Sequence, residues 1–166
     1  MAFIVENSNT ISFAEFTDVT ARDQRLFDNN ESLTLDFVED ALERTTSRLL
    51  ENIKTTEWWQ RSYGTHNGSV NRLDIPPPDA DRIKSRQTDF TDLCVYRALA
   101  DYILPAVADF GDPENAERQK MGYYENRATQ LYLELVNSGD WYDFDDDGTV
   151  QTDEKSRGYM SLKRVR

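Results

Sequence analysis

The sequence predicts an all-α fold: a small helical bundle of about three long helices plus short ones, with a long loop and extended termini. Three observations lead there. Apolar residues recur at spacings of three and four along three long segments. Capping residues and glycines stand where such helices would begin and end. No convincing alternation of apolar and polar residues is present, and no internal repeat.

Residues 1–11 read as extended or irregular, and Ser12 as the cap of a short helix with Phe13, Phe16 and Val19 on its apolar side. A polar link follows, ending near Asn29-Asn30. The first long helix opens after Thr34, with Asp36 in its first turn and Leu33 and Val38 placed for a hydrophobic staple. Its buried stripe is Phe37, Val38, Ala41, Leu42, Thr45, Leu49 and Ile53, with Glu39, Glu43, Arg44, Arg48 and Glu51 on the other face. Trp58 and Trp59 follow, on a last turn or a second short helix. Gly64, Asn67-Gly68 and Pro76-Pro77-Pro78 then mark a long loop over 63–78. A second long helix is expected from about Thr88 to Phe110. It is apolar on more than one face, hence buried centrally or between subunits, and kinked or divided by Pro105. The third has Asp112 as its cap, Pro113 at the first helical position and Glu114 in the first turn. Met121, Tyr124, Ala128, Leu131 and Leu135 form its stripe, and Gly139 suits the position just past its end. This predicts a helical domain over 1–138 and a loop plus arm over 139–166.

The chain carries a net charge of −12, unevenly spread. Lys155, Arg157, Lys163, Arg164 and Arg166 are joined by no acid over 155–166, so −17 falls on residues 1–154. An acidic body disfavours nucleic-acid wrapping, whereas the basic end is drawn to an acidic partner, such as a copy of the chain's own body. No apolar run approaches the roughly 20 residues that span a bilayer, and the first residues do not read as a secretory signal. The single cysteine, Cys94, excludes an internal disulfide framework and fits a reducing compartment.

The sharpest motif is Asp-Phe-Asp-Asp-Asp-Gly-Thr-Val-Gln-Thr-Asp-Glu at 143–154. It matches the EF-hand calcium loop at each diagnostic position. Asp143, Asp145 and Asp147 hold positions one, three and five, where a tightly wound loop converges their carboxylates on one ion. Gly148 permits the sharp turn, Thr149 offers its backbone carbonyl, and Val150 is the apolar residue that tucks inward. Gln151 ligates through water and Glu154 in bidentate fashion. One calcium ion, or a similar hard cation, is the expected cofactor, and the alternative is an acidic turn without a metal in which Gly148 serves only the backbone. The helices that flank a complete EF-hand are missing, because Gly139 stops the preceding helix early and Lys-Ser-Arg-Gly after Glu154 supports at most a turn. The loop therefore reads as structural rather than as a sensor that opens a groove.

Other chemistry finds no support, and the chain does not read as an enzyme. His66 is the only histidine and lies in a stretch rich in glycine and asparagine, against a triad or a histidine-based metal site. Cys94 sits on the most apolar helix, as an inert thiol would. No phosphate-binding glycine pattern is present. Trp58 and Trp59 suit packing in the core or at a subunit interface, or a binding platform.

Residues 33–44 (Leu-Thr-Leu-Asp-Phe-Val-Glu-Asp-Ala-Leu-Glu-Arg), running toward Trp58-Trp59, and residues 89–105 (Asp-Phe-Thr-Asp-Leu-Cys-Val-Tyr-Arg-Ala-Leu-Ala-Asp-Tyr-Ile-Leu-Pro) carry a resemblance. So do Glu117-Arg118, Tyr123-Tyr124, the stretch 139–149 and the closing Arg-Val-Arg. Over about residues 30–166 the layout resembles the head–tail connector adaptor proteins of tailed bacteriophages, in pattern rather than through one defining motif. The calcium-type loop is an addition to the plain adaptor layout. The resemblance implies a homo-oligomeric ring, commonly of twelve copies, in the virion neck beneath the portal protein. It also implies a stopper or tail-completion protein below, a channel through which DNA passes, no membrane partner, and synthesis in the host cytoplasm. It further implies that the basic end, with Lys163, Arg164 and Arg166, is a docking arm for the portal, and makes Trp58 and Trp59 candidates for a subunit or portal interface. The competing expectation is a calcium-binding protein–protein interaction module.

Overall fold

The computed structural model describes residues 3–6, 9–30, 32–68, 71–112 and 114–155. Pro113, Lys163, Arg164 and Arg166, each given a role above, lie outside the described residues. The described chain is mostly helical, with one two-stranded sheet. It gathers into two compact units, residues 1–49 with 87–132 and residues 50–86 with 133–166. The chain thus does not divide at 138/139 as the sequence suggested, because the acidic loop folds together with residues 50–86.

The first unit begins with a hairpin that the sequence reading missed. Strands β1 (Ile4–Glu6) and β2 (Asn9–Ser12) pair antiparallel, with Val5 opposite Thr10 and a bulge between Ile4 and Val5. Three or four residues are too few to show an alternating pattern. Phe13 follows, fully buried between the rings of Phe3 and Phe90 at 4.7 and 5.4 Å. Two buried threonines satisfy its backbone: Thr46 Oγ1 accepts its N–H at 3.1 Å and Thr91 Oγ1 donates to its carbonyl at 2.7 Å. A buried peptide left unpaired is costly, which explains why hydroxyls sit on otherwise apolar helix faces.

Helix α1 (Phe16–Arg22) is capped at Glu15, whose N–H donates to Asp18 Oδ2 at 3.0 Å. Ser12, expected as the cap, instead donates to the Ala14 carbonyl at 2.7 Å. Helix α2 (Gln24–Asn29) fills the expected polar link. Helix α3 (Leu35–Lys54) starts as predicted, with Thr34 Oγ1 accepting the Phe37 N–H at 3.3 Å and both staple residues, Leu33 and Val38, buried. Within the stripe Phe37 is 38% exposed, and buried Thr46 completes the face instead. About 100° separates consecutive helical residues, so with Val38, Leu42 and Leu49 inward, Phe37 lies at the edge.

The second predicted long helix is built in three pieces. Helix α5 (Gln87–Ala98) runs into a π turn (Leu99–Ile103) and then α6 (Leu104–Val107). The Leu104 N–H bonds to the Leu99 carbonyl, five residues back. Pro105 has no N–H to give, and the widened turn absorbs the missing bond without breaking the helix. Most of α5 beyond its first turn is buried, including Phe90, Leu93, Cys94, Val95 and Ala98. Burial pushes the Cys94 thiol from 9.0 up to about 12. This sets a first expected result: native protein at pH 8 resists a thiol-specific disulfide reagent, and the thiol reacts only as the first unit opens in denaturant. The stabilising difference is fully present below pH 9 and is lost as pH rises toward 12. Rapid stoichiometric labelling of native protein would contradict the packing.

Helix α7 (Ala116–Ser138) begins later than Asp112. Asn115 is its cap, with Oδ1 accepting the Arg118 N–H at 3.0 Å, and Asp112 closes the preceding turn by accepting the Glu114 N–H at 2.9 Å. Both residue types suit a cap, and the helical backbone begins after Asn115. Tyr124, Ala128 and Leu135 are buried as expected, whereas Met121 and Leu131 are half-buried. Lys120 Nζ lies 2.7 Å from Asp23 Oδ2, within the first unit.

In the second unit, α4 (Glu57–Asn67) is capped by Thr56, whose Oγ1 accepts the Trp59 N–H at 3.2 Å. The helix takes in residues 63–67, so the expected loop starts five residues later, at Gly68, with φ 82°. Gly64 is tolerated inside the helix at the modest cost usual for glycine. The loop carries two 3-10 turns, Arg72–Asp74 and Ala80–Arg82, capped by Asn71 and Asp79. Among the described residues no helix is long and apolar enough to cross a membrane.

Candidate functional site

The acidic loop is set on a floor of aromatic rings. Helix α7 ends at Gly139, which takes φ 55° and donates to the Leu135 carbonyl at 3.2 Å, the left-handed termination expected of it. Trp141 is fully buried and its Nε1–H reaches the same carbonyl at 2.8 Å. Its ring lies 4.8 Å from that of Trp58. Tyr142 pairs with Ile83 as an isolated antiparallel bridge, and the Asp143 N–H donates to the Arg82 carbonyl at 3.0 Å. Trp59 sits at the centre, with Tyr142 at 4.8 Å edge-on and Phe144 at 5.7 Å stacked.

Trp58 and Trp59, considered above as a subunit or portal interface, are therefore core residues, 2% and 0% exposed. Their rings build the floor under the loop and offer no free docking surface. His66, expected in a loop, lies at the end of α4. Its ring stacks on Phe144 at 4.2 Å and its Nδ1 pairs with the Ser62 carbonyl at 2.9 Å.

On this floor the loop closes through its own carboxylates. Asp143 is fully buried; its Oδ1 accepts the Asp146 N–H at 2.7 Å and its Oδ2 the Gly148 N–H at 2.8 Å. Asp145 Oδ1 accepts from Asp147 at 3.2 Å. Asp147 Oδ1 accepts both the N–H and the hydroxyl of Thr149 at 2.9 Å, and Gln151 donates to its Oδ2. The donors from Thr149 and Gln151 hold the Asp147 carboxyl below the usual aspartate range. That of Asp145 is raised: loop atoms displace part of its water, and the charges of Asp147 and Glu154 add to this. The backbone turns through φ 62° at Asp146 and φ 92° at Gly148.

Asp143, Asp145 and Asp147 each bring a carboxylate oxygen to within 4.8 Å of the others. Oxygens bound to one calcium ion at about 2.4 Å lie at most about 4.8 Å apart, so the three suit a single ion of that size. The Asp143 and Asp145 oxygens that accept one N–H each keep a second lone pair, as does Asp147 Oδ2 beside Gln151, whereas Asp147 Oδ1 takes two donors from Thr149. Glu154, expected as a bidentate ligand, is placed otherwise. It is 2% exposed; its Oε1 accepts the N–H groups of Phe144 and, at 3.0 Å, Asp145, and its Oε2 accepts that of Gln151 at 2.8 Å. It ties the end of the loop to its start. Thr149 supports Asp147, and Val150 is half-buried.

Arg82 was not foreseen. Its Nη1 donates to the Phe144 carbonyl at 3.1 Å and its Nη2 lies 3.3 Å from Asp146 Oδ2, a cation clamped beside five acids. No local pattern announces it, because its partners lie more than sixty residues away.

Gly148 gives a second expected result. A Cβ there would meet nothing within 4 Å, so Gly148→Ala suffers only from the left-handed backbone. The cost is about 1–2 kcal/mol, read as a lower urea midpoint. An unchanged midpoint would mean that the backbone does not hold this turn.

Fold and loop together define a mostly helical protein with a calcium-type acidic loop built on a buried aromatic cluster. Compared with protein-family models, with curated proteins and with solved structures, the chain matches none.

Proposed function

We propose that the chain is a structural adaptor of a tailed-phage neck, its helices forming the small bundle of such proteins. It assembles as a ring under the portal, commonly of twelve copies, joins capsid to tail, and lines the channel through which DNA passes. A stopper or tail-completion protein docks below, and the work is assembly without turnover. The observation that carries this reading is the resemblance of residues 33–44, 89–105 and 139–149, which build α3, α5 and the start of the acidic loop. The acidic body supports it, since a channel wall of like charge lets DNA slide. With Trp58 and Trp59 in the core, subunit contacts fall to exposed apolar side chains such as Leu35, Phe37, Phe110 and Tyr123. The arm with Lys163, Arg164 and Arg166 reaches the portal, and a calcium ion on Asp143, Asp145 and Asp147 steadies the loop from which it leaves.

The test is the mass and shape of the purified protein, alone and mixed with a candidate portal ring, in calcium and in chelator. A stoichiometric ring on the portal supports the adaptor; a protein that ignores portals overturns it. The carboxylate cluster favours one other reading, a calcium-binding interaction module. That reading requires a partner whose affinity depends on calcium, whereas the adaptor requires calcium to affect only stability or the order of the arm.

A further inference from the structure

The second unit contains a cleft of about 370 Å³, at the small end of the range, about 300–1,000 Å³, of pockets that receive organic ligands. Its open surface is more polar than apolar. The rings of Trp59, Tyr142 and Phe144 shape it, but they are at most 6% exposed and give a ligand little contact. Apolar contact comes instead from Tyr63, Pro76 and Pro77, each half-buried or exposed.

The polar groups keep hydrogen-bonding capacity that the fold does not use. Asp79 is exposed; its Oδ1 accepts the Asp81 N–H at 3.0 Å, and its Oδ2 has no partner among the described residues. Exposed Asn67 donates once, to the Tyr63 carbonyl at 3.3 Å, and its Oδ1 and second amide proton remain open among the described residues. The Tyr142 hydroxyl accepts the Asp79 N–H at 3.3 Å and still has its own proton to give. Burial pushes that hydroxyl from 10.0 up to about 12, so the proton stays on through the neutral range. The cleft thus offers donors and acceptors together, and its lining has one acid, Asp79, and one base, Arg82.

That balance selects the ligand. A cation would meet Arg82, an anion would meet Asp79, and an alkyl group would strip water from polar groups and leave them unpaired. The match is a neutral molecule whose hydroxyls both donate and accept and which has an apolar face for Tyr63 and the prolines. A pyranose ring has this chemistry, with hydroxyls around its rim and C–H groups on its face. We propose that this cleft binds a neutral pyranose sugar, with Tyr63, Pro76 and Pro77 against the C–H face and Asn67, Asp79 and the Tyr142 hydroxyl bonded to its hydroxyls. The proposal stands apart from the adaptor reading, since it needs no portal and no ring.

The full chain provides the test. The methyl glycosides of glucose, galactose, mannose and N-acetylglucosamine are each titrated into it, and the indole N–H signals of Trp58, Trp59 and Trp141 are followed by NMR. The Trp59 Nε1–H donates to the Pro76 carbonyl at 2.8 Å, so it reports on the cleft. The expected result is a saturable shift of the Trp59 signal with at least one glycoside, while Trp58 and Trp141 change little. Asn67→Ala and Asp79→Asn, the second of which keeps an acceptor for the Asp81 N–H, should leave the sugar-free indole pattern in place and weaken binding about 3–10-fold each. A Trp59 signal that no glycoside moves overturns the proposal, as does unchanged affinity in both variants. So does a saturable shift given by adenosine monophosphate, arginine methyl ester or hexanol and by none of the sugars, because the ligand would then be an anion, a cation or an apolar group. The readout uses protein without portal, so its failure leaves the adaptor reading untouched.

Discussion

Trp59→Ala is expected to lower stability by about 3–5 kcal/mol, the range for removing a fully buried large aromatic side chain. Trp59 is 0% exposed and its ring meets those of Trp58, Tyr63, Tyr142 and Phe144. The truncation would remove this packing and the Nε1 bond to Pro76 together. The cavity opens directly under the acidic loop, whose residue Phe144 would lose its stacking partner. Urea unfolding followed by the remaining tryptophans, Trp58 and Trp141, reads the second unit specifically. Trp59→Phe separates the contributions: it keeps an aromatic ring and loses the hydrogen bond, with a smaller cost on the order of 1–2 kcal/mol. A loss under about 1 kcal/mol for Trp59→Ala would show that the aromatic floor does not hold the loop.

The second large effect separates two sets of acids in one loop. Glu154→Ala removes an acceptor that serves three backbone N–H groups from a buried position. An unpaired buried donor costs about 1–3 kcal/mol; with water reaching the exposed positions 145 and 151, the total is about 2–4 kcal/mol. This loss should appear equally in calcium and in chelator. Asp145→Ala should behave in the opposite way. Its carboxyl is exposed and pressed by the charges of Asp147 and Glu154, so chelator-treated protein keeps its stability. What disappears is the gain on adding calcium, which for an intact site grows as RT ln(1 + [Ca²⁺]/Kd). Thermal melts of both variants, each with and without calcium, decide the matter. Equal calcium gains in wild type and Asp145→Ala would remove Asp145 from any cation site. An unperturbed Glu154→Ala melt would refute its role as the tie between loop ends.

Local interactions were legible because the residues that make them are neighbours in the chain. The start of α3 at Thr34, the left-handed end of α7 at Gly139, and the turn at Gly148 each depend on a few adjacent residues and on backbone geometry. The convergence of Asp143, Asp145 and Asp147 follows from the same winding, and their spacing alone predicted it. The position of Pro105 correctly announced an irregular helix. Whether the irregularity would be a break or a π turn depended on how the surrounding core held α5 and α6.

Other features were settled across the chain. An apolar pair such as Trp58-Trp59 looks the same in sequence whether it faces a partner or the interior, and only Trp141, Tyr142 and Phe144 arriving from far along the chain assign it to the core. Glu154 matches a ligand by spacing, yet burial turned its oxygens toward the N–H groups of residues 144, 145 and 151. Arg82 became the clamp of the loop through partners that no local pattern could nominate. The sequence by itself determined the start of α3, the end of α7 and which acids converge, because those outcomes rest on short-range hydrogen bonds and backbone sterics. Tertiary structure alone decided which aromatic side chains are interior, which carboxylate is structural, and where the chain divides, because burial is a property of residues distant in sequence that meet only on folding.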